Sequence, residues 1–308
     1  MNIISRWIRS LYRKAVLRNL ITPEVIVLMD GGICSQMHQY LLGLLFSEKG
    51  YKVSYDLSFY DEWGQDLTYR FARNFDLLKA FPYLSLRRAS EFKISIYKER
   101  FPVVTGNNTG ARTEDYSFMQ RRPPVYLGGY YHWYQDIWLA SFRRVFHIDL
   151  SVLDAENRVV CSEIAGCRCS VGVHVRRGDM TVELPVYGKP ATTEYFRRAV
   201  KYMDSKLQDP VYYFFSDEPS WVADTLLPQL GLGGEDARER ARIIDINGSD
   251  KGYMDLFLIA QCSHQITSKG TIGKYGALLK DCPDKIVVMC DDVSEYPYRQ
   301  IFNNPVFL

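Results

Sequence analysis

The sequence predicts an α/β protein of two Rossmann-like domains that face a cleft. Three observations support this fold class: a length of 308 residues, an apolar fraction of 47%, and short apolar runs that alternate with helical patterns. A charged fraction of 24% is ordinary for a folded chain with a large core. We expect a basic amphipathic helix over residues 1–22, a first domain over 23–150 and a second over 151–308.

The first domain opens with a predicted βαβ unit. Asp30, Gly31 and Gly32 form a glycine turn where the first apolar run ends. Residues 56–120 have an irregular, aromatic-rich pattern, from which no helix or strand can be predicted. The elements expected in this domain are strands over 25–29, 51–55 and 125–131 and helices over 35–49 and 133–146.

The second domain shows a cleaner alternation of strands and helices. The weakly patterned segment 148–168 is the expected junction before it. Apolar strands joined by helical crossovers imply a doubly wound parallel sheet. The expected strands are 170–175, 211–215, 243–246, 265–267 and 285–289, and the expected helices are 193–207, 253–262, 274–279 and a short one that opens near 219.

The sharpest motif is His174-Val175-Arg176-Arg177-Gly178-Asp179, at the carboxyl end of the second domain's first strand. Ligands of open α/β sheets bind at that edge. Because side chains alternate along a strand, His174 and Arg176 share one face and Arg177 takes the other. Guanidinium groups keep their charge and suit a diphosphate. The alternative is a structural Arg–Asp salt bridge that caps the loop.

Three other polar positions follow predicted strands of this domain. Asp217 could accept a hydrogen bond from a base or ribose, or cap the helix after it. The turn from Ser268 through Thr271 opens a helix, where backbone N–H groups favour phosphate. Asp255 lies just inside a predicted helix, where it could equally complement the helix dipole.

Several common binding signatures are absent from the sequence. It has no Asp-x-Asp triplet, no Walker loop and no G-x-G-x-x-G fingerprint, so we expect arginine rather than a metal ion to neutralise a diphosphate. A net charge of +2 gives no case for nucleic acid as the partner. The seven cysteines, an odd number, favour buried thiols over a disulfide framework and a location in a reducing cytoplasm.

Residues 1–20 concentrate the positive charge of the chain. They carry five cations and no acid, and apolar residues recur there at helical spacing. One interpretation is an interfacial helix that binds an anionic membrane surface, which would make the protein peripheral on the inner face of a membrane. The other is a helix packed on its own domain. No apolar run is long enough to span a bilayer.

Several motifs together resemble glycosyltransferase family 11, the α-1,2-fucosyltransferases, especially the bacterial members. The residues from Gly31 to Tyr40 resemble the family's opening Gly-Gly-Leu-Gly-Asn-Gln-Met-Phe-Gln-Tyr. The residues from His174 to Asp179 match its H-x-R-R-G-D signature. Segments 193–196, 215–221 and 255–262 are similar to further family segments, whereas the loop 269–275 keeps only Thr271 and Gly273 of the family pattern.

The resemblance implies a GT-B fold and metal-free transfer of L-fucose from GDP-β-L-fucose to a sugar hydroxyl with inversion. We expect an α-1,2 linkage to galactose in an oligosaccharide or lipid-linked glycan. The alternatives are a fucosyltransferase of different linkage and a non-catalytic GDP-sugar-binding protein.

The resemblance also implies roles for individual residues. Arg176 is the implied diphosphate partner and Asp255 the implied guanine contact. The acceptor base stays open among Asp30, His38 and Asp179. The residues assigned to catalysis are Arg176, His174 and Asp179, and those assigned to GDP-fucose binding are Gly31, Gly32, Gln36, Arg177, Asp217, Asp255, Ser268 and Thr271.

Overall fold

The computed structural model describes residues 3–105, 117–128, 136–182, 188–234, 239–303 and 305–308. The chain divides into two compact units. The first comprises Met1–Gln65, Arg73–Leu78 and Pro82–Trp133, and the second Asp66–Ala72, Lys79–Phe81 and Tyr134–Leu308. The second unit thus begins before the junction expected at residue 150. It also includes two short segments from the region 56–120, for which the sequence predicted no elements.

The first unit contains a parallel sheet whose strands follow the order β2-β1-β4-β3 within the described residues. Its core includes Val16, Ile26, Tyr97 and Tyr126, so the N-terminal helix contributes to it. The strands are β1 Glu24–Leu28, β2 Lys52–Asp56, β3 Val103–Thr105 and β4 Val125–Gly128. The helices up to this point are Ile3–Leu17, Ile33–Glu48, Ser58–Glu62, Leu77–Ala80 and Glu91–Arg100, with a 3₁₀ turn at Ser117–Gln120.

The second unit contains a longer parallel sheet, with the order β10-β9-β8-β5-β6-β7 among the residues described. The strands are β5 Ser170–Val175, β6 Val211–Ser216, β7 Ala241–Ile244, β8 His264–Thr267, β9 Val287–Met289 and β10 Pro305–Phe307. The longer helices are Asp136–Val145, Ala155–Gly166, Thr193–Lys206, Gly252–Gln261 and Ile272–Leu279. A helical stretch after β6 combines Pro219–Trp221, a π turn at Val222–Leu226, and Leu227–Gln229. Each unit contains a parallel sheet with helices, so the predicted α/β class is confirmed.

The central strand β5 has one aliphatic face and one face that carries the motif histidine. Val171, Val173 and Val175 lie in the core that helix Thr193–Lys206 covers. On the other face, a Cβ at Gly273 would lie 2.8 Å from the His174 Cβ, so helix Ile272–Leu279 packs directly on the imidazole. The alternation predicted for this strand is confirmed.

The sequence did not predict helix Ala155–Gly166 or strand β10 of the second unit. Helix Ala155–Gly166 lies inside the weak segment 148–168, and Asp154 caps it by accepting a hydrogen bond from the Asn157 N–H. Strand β10 adds a parallel edge beside β9. The strand expected over 125–131 is observed at Val125–Gly128, and residues 129–131 lie outside the described part of the chain.

Candidate active site

The loop after β5 is organised by an ion pair inside the motif. The Asp179 carboxylate accepts hydrogen bonds from Arg176 Nε at 3.0 Å and from Arg176 Nη2. Its side chain is 1% exposed, whereas that of Arg176 is 26% exposed. The Arg–Asp salt bridge that the sequence left as an alternative is therefore present. It fixes one edge of the guanidinium against Asp179, while the Arg176 side chain as a whole stays partly exposed.

The serine of the 268–273 turn joins this loop to β5. Ser268 is buried, its Oγ accepts a hydrogen bond from the Arg176 N–H at 2.9 Å, and it lies 3.2 Å from His174 Nδ1. Burial, followed by the positive charges of Lys274 and Arg176, lowers the pKa of His174 to about 3. The imidazole is therefore neutral at physiological pH.

The buried side chain of Lys274 stabilises the same turn. Lys274 Nζ donates to the Ser268 carbonyl at 3.0 Å and to the Gly270 carbonyl, and it lies 2.5 Å from Glu295 Oε2. Gly270 has φ +95°, and a Cβ there would lie 2.9 Å from Arg176 Nη1. The buried pair of Lys274 and Glu295 thus stabilises the turn, and Gly270 allows the turn to pack closely against Arg176.

On the other side of the motif loop, β6 supplies a second acidic anchor. Asp217 accepts hydrogen bonds from the backbone N–H groups of Arg177 at 2.9 Å and Gly178 at 3.0 Å. The Asp217 carboxylate therefore holds the backbone of the motif loop. This role differs from both alternatives that the sequence offered, a ligand contact and a helix cap. The Arg177 guanidinium lies 3.7 Å from the centre of the Trp221 ring and donates to Glu218 at 3.2 Å. Arg176 and Arg177 therefore diverge to opposite faces, as the alternation predicts.

Asp255 belongs to a polar network at the start of helix Gly252–Gln261. Asn247 Nδ2 donates to Asp255 Oδ1 at 2.7 Å, and Asn247 and Asn157 hydrogen-bond to each other through both side-chain amides at 2.8 and 2.9 Å. Burial raises the pKa of Asp255 to about 7, the Asn247 hydrogen bond opposes the rise, and the charge of Asp245 adds to it. The carboxyl group thus titrates near neutral pH.

These groups of the second unit share one edge of its sheet. The loop after β5, the Asp217 loop after β6, Asn247 after β7 and Ser268 after β8 all follow the carboxyl ends of parallel strands. Helix Gly252–Gln261 runs into β8, so its first turn, with Asp255, starts at the same edge. Thr271 occupies the N-cap position of helix Ile272–Leu279, beside the Arg176 loop. The sequence-predicted residues of the second domain are therefore brought together.

The three predicted binding residues of the first domain lie in the first unit, around the turn after β1. Gly31 adopts φ +72°, which favours glycine, and Gly32 precedes helix Ile33–Glu48 with open space where a Cβ would stand. Gln36 is buried. Its Oε1 accepts from the N–H groups of Asp76 and Leu77, both at 2.9 Å, so this side chain anchors a neighbouring segment of its own unit.

The candidates for the acceptor base differ in accessibility. His38 is 0% exposed inside helix Ile33–Glu48, and Asp179 is buried against Arg176. Asp30 is half-buried at the end of β1, where Gln39 Nε2 donates to its Oδ1 at 2.6 Å. Burial raises the pKa of Asp30, and the Gln39 hydrogen bond partly opposes that rise.

Four residues that organise the site were missed from the sequence. They are Asn157, Asn247, Lys274 and Glu295. A sequence signal existed for the lysine, which interrupts the otherwise apolar helix Ile272–Leu279. Nothing in the local sequence pattern marks Asn157 and Glu295 as buried, or Asn247 as a partner of Asp255.

An arginine-bearing loop at the carboxyl edge of a parallel sheet is suited to bind an anionic ligand such as a phosphate. A family model for glycosyltransferase family 11 matches residues 124–300, more than half of the chain. The chain belongs to glycosyltransferase family 11 and is a glycosyltransferase.

Individual relatives extend the match to most of the chain. The O-antigen biosynthesis glycosyltransferase WbnK of Escherichia coli is 24% identical over 291 residues, which cover 84% of this chain and 91% of WbnK. An alpha-1,2-colitosyltransferase of Escherichia coli is 24% identical over 277 residues, 83% of this chain and 88% of that protein. Galactoside alpha-(1,2)-fucosyltransferase 1 of Saimiri sciureus is 30% identical over 116 residues, 36% of this chain and 29% of that protein.

Proposed function

We propose that the protein transfers L-fucose from GDP-β-L-fucose to a galactose hydroxyl of a glycan, forming an α-1,2 linkage with inversion and without a metal cofactor. The observation that carries this proposal is the Arg176 loop, held by Asp179, Ser268 and Gly270 at the carboxyl edge of the second sheet. The names of the α-1,2-fucosyltransferase and α-1,2-colitosyltransferase relatives support the linkage.

Departure of GDP from fucose builds negative charge on the β-phosphate oxygen, and Arg176 is suited to stabilise it. Asp179 fixes the guanidinium through Nε and Nη2, while Nη1 lies next to Gly270, two residues before helix Ile272–Leu279. Backbone N–H groups at a helix start add positive potential for a phosphate. The guanidinium thus makes its two-atom contact to Asp179, and the phosphate would meet the outer edge of the guanidinium.

A neutral His174 can contribute a hydrogen bond to the same phosphate. Ser268 Oγ already accepts from the Arg176 N–H, and its own proton can be donated to His174 Nδ1. In that arrangement the imidazole carries its proton on Nε2. His174 then acts as a neutral donor in the site, and its low pKa keeps it from competing with Arg176 as a second cation.

Gly270→Ala tests the contact between the turn and the arginine. We expect a loss of about 1–2 kcal/mol in unfolding free energy, because φ +95° disfavours a Cβ. GDP affinity should fall about tenfold, because the methyl group displaces Arg176. Gly50→Ala is the matched control, since Gly50 has φ +82° and open space around a Cβ. Thermal unfolding and GDP titration measure both effects, and equal loss of GDP affinity in the two variants would contradict the contact.

Asp255 is suited to recognise guanine, whose N1–H and N2–H groups both donate. Accepting from both requires an ionised carboxylate, and the Asp255 pKa of about 7 means that GDP binding must deprotonate part of the population. We expect GDP to raise the unfolding temperature more than UDP or ADP does. Asp255→Asn should weaken GDP binding by about ten- to hundredfold, because a charge-assisted bond is lost.

The raised pKa also predicts how GDP affinity depends on pH. The carboxylate is the binding form, so affinity should be full above about pH 8 and fall about tenfold per pH unit below pH 7. Phosphate protonation adds a separate loss near pH 6. Calorimetric titrations of wild type and Asp255→Asn from pH 6.5 to 8.5 separate the effect of Asp255 protonation from that of phosphate protonation. A pH dependence that persists unchanged in Asp255→Asn would remove this residue from guanine recognition.

Among the base candidates, the structure favours Asp30. It is the partly accessible one of the three, and its burial-raised pKa moves it towards the pH at which a general base works best. The buried positions of His38 and Asp179 favour structural roles for both.

Assays with a donor and acceptor panel test the whole proposal. GDP-fucose should be consumed with a galactoside acceptor in the presence of EDTA, and the product linkage should be α-1,2. Turnover of GDP-colitose in preference to GDP-fucose would keep the chemistry and change the sugar, a result that the colitosyltransferase relative motivates. Binding of GDP-fucose with no turnover on any galactoside would identify a binding protein, and rescue by magnesium after EDTA would overturn the metal-free reaction.

A further inference from the structure

The N-terminal helix Ile3–Leu17 packs on the first unit by one face. Val16 is buried in the core, and the Tyr12 ring meets the Phe92 ring edge-on at 5.5 Å. Arg9 Nη1 lies 2.6 Å from Glu99 Oε2, and Arg13 Nε donates to the Arg100 carbonyl at 3.2 Å. Two of the five cations in this region are therefore committed to the protein itself, and the packed-helix interpretation holds for this face.

The opposite face is apolar and exposed. Trp7 is 67% exposed, Ile8 49% and Leu11 58%, and their spacing places them together on one side of the helix. Arg6, Lys14 and Arg18 are also exposed and flank these residues. A tryptophan and two aliphatic residues beside a set of cations is the pattern of a helix that lies in a membrane interface.

We propose that the face formed by Trp7, Ile8 and Leu11 docks on the surface of an anionic lipid bilayer. The apolar side chains would enter the headgroup region, and Arg6, Lys14 and Arg18 would lie near lipid phosphates. Within the described residues no helix has the length and hydropathy needed to cross a bilayer, so the proposal concerns a surface contact.

Charge favours a lipid surface over a second copy of the chain. In a two-fold dimer through this face, the flanking cations of one copy would approach the same cations of the other. An anionic bilayer offers the complementary charge over its whole surface. The partly exposed ion pair of Arg9 with Glu99 also fixes the rotation of the helix, so the apolar face points away from its own unit.

Vesicle sedimentation tests the proposal with the full chain. The protein should pellet with phosphatidylcholine vesicles that contain phosphatidylglycerol, pellet weakly with phosphatidylcholine alone, and dissociate as salt is raised. Trp7→Ser/Leu11→Ser should lower the partition coefficient at least about tenfold, because the buried apolar area is lost. Lys14→Glu/Arg18→Glu should lower it by a similar factor, because the charge is reversed.

The matched control is Val159→Ser. Val159 is 69% exposed on helix Ala155–Gly166, far along the chain from the basic helix. The Val159→Ser variant should pellet like wild type. Unfolding temperature and GDP affinity, measured for every variant, report whether folding is intact. Equal pelleting of wild type and Trp7→Ser/Leu11→Ser would overturn the proposal. So would a concentration-dependent dimer that the same double variant abolishes, because the face would then belong to a second copy.

Discussion

Arg176→Ala should lower kcat with GDP-fucose and a galactoside acceptor by at least about 10²-fold, the loss typical of removing an oxyanion donor. Arg176→Lys should be nearly as poor. The arginine is held by Asp179 through Nε and Nη2 while its outer edge faces the turn at Gly270. A lysine ammonium cannot hold a planar two-atom contact to Asp179 and still present a donor to the phosphate.

A matched control separates this effect from the general cost of replacing an arginine. Arg242 lies 3.5 Å from Glu163 on the surface, away from the motif loop, so Arg242→Lys should leave kcat unchanged. GDP affinity and unfolding temperature should be measured with the same preparations. Near-normal turnover in Arg176→Ala would remove Arg176 as the partner of the leaving group.

Much of the fold could be predicted because parallel strands buried on both sides appear as short apolar runs. The strand predicted over 170–175 has the observed bounds, Ser170–Val175. Helix Ala155–Gly166 was missed because its pattern is weak and its start depends on the Asp154 cap. The region 56–120 was missed because its short elements take their conformation from tertiary contacts, which a local pattern does not contain.

The candidate site was predictable to the level of loops but not of contacts. The topology rule brings His174, Arg176, Asp217 and Ser268 to one edge, since each follows or ends a parallel strand. Which carboxylate pairs with Arg176 depends on the path of the loop, and the buried Lys274 takes its partners from the turn above it and from a residue near the C-terminus. The pairing of Lys274 with Glu295 in particular is decided by packing between residues that are distant in the sequence.

Asp255 illustrates how environment changes the meaning of a residue. The sequence allowed a simple dipole contact at a helix start. In the structure the same carboxyl group is partly buried and held by Asn247, which is itself paired with Asn157 from another helix. These amides orient the carboxylate, and burial brings its pKa to about 7. A residue that could have been a minor helix stabiliser thus has a carboxyl group that titrates near neutral pH, as the proposed guanine contact requires for its pH dependence.

Asp30→Asn should lower kcat by about 10²–10⁴-fold while GDP affinity stays at the wild-type value, because an amide cannot take the proton of the acceptor hydroxyl. Asp179→Asn should behave differently. It releases Arg176, and therefore weakens GDP binding as well as kcat. The contrast between the two variants distinguishes a general base from a residue that positions Arg176.

A third variant makes the assignment of Asp30 testable through pH. Gln39 donates to Asp30 Oδ1, which stabilises the ionised form and opposes the rise that burial causes. Removing this donor in Gln39→Leu should raise the pKa of Asp30 further. The acidic limb of the pH profile of kcat should then move to higher pH, because the base is ionised only above its pKa. Asp30→Asn should lack that limb altogether, and a limb that stays in place in both variants would assign the base to another group.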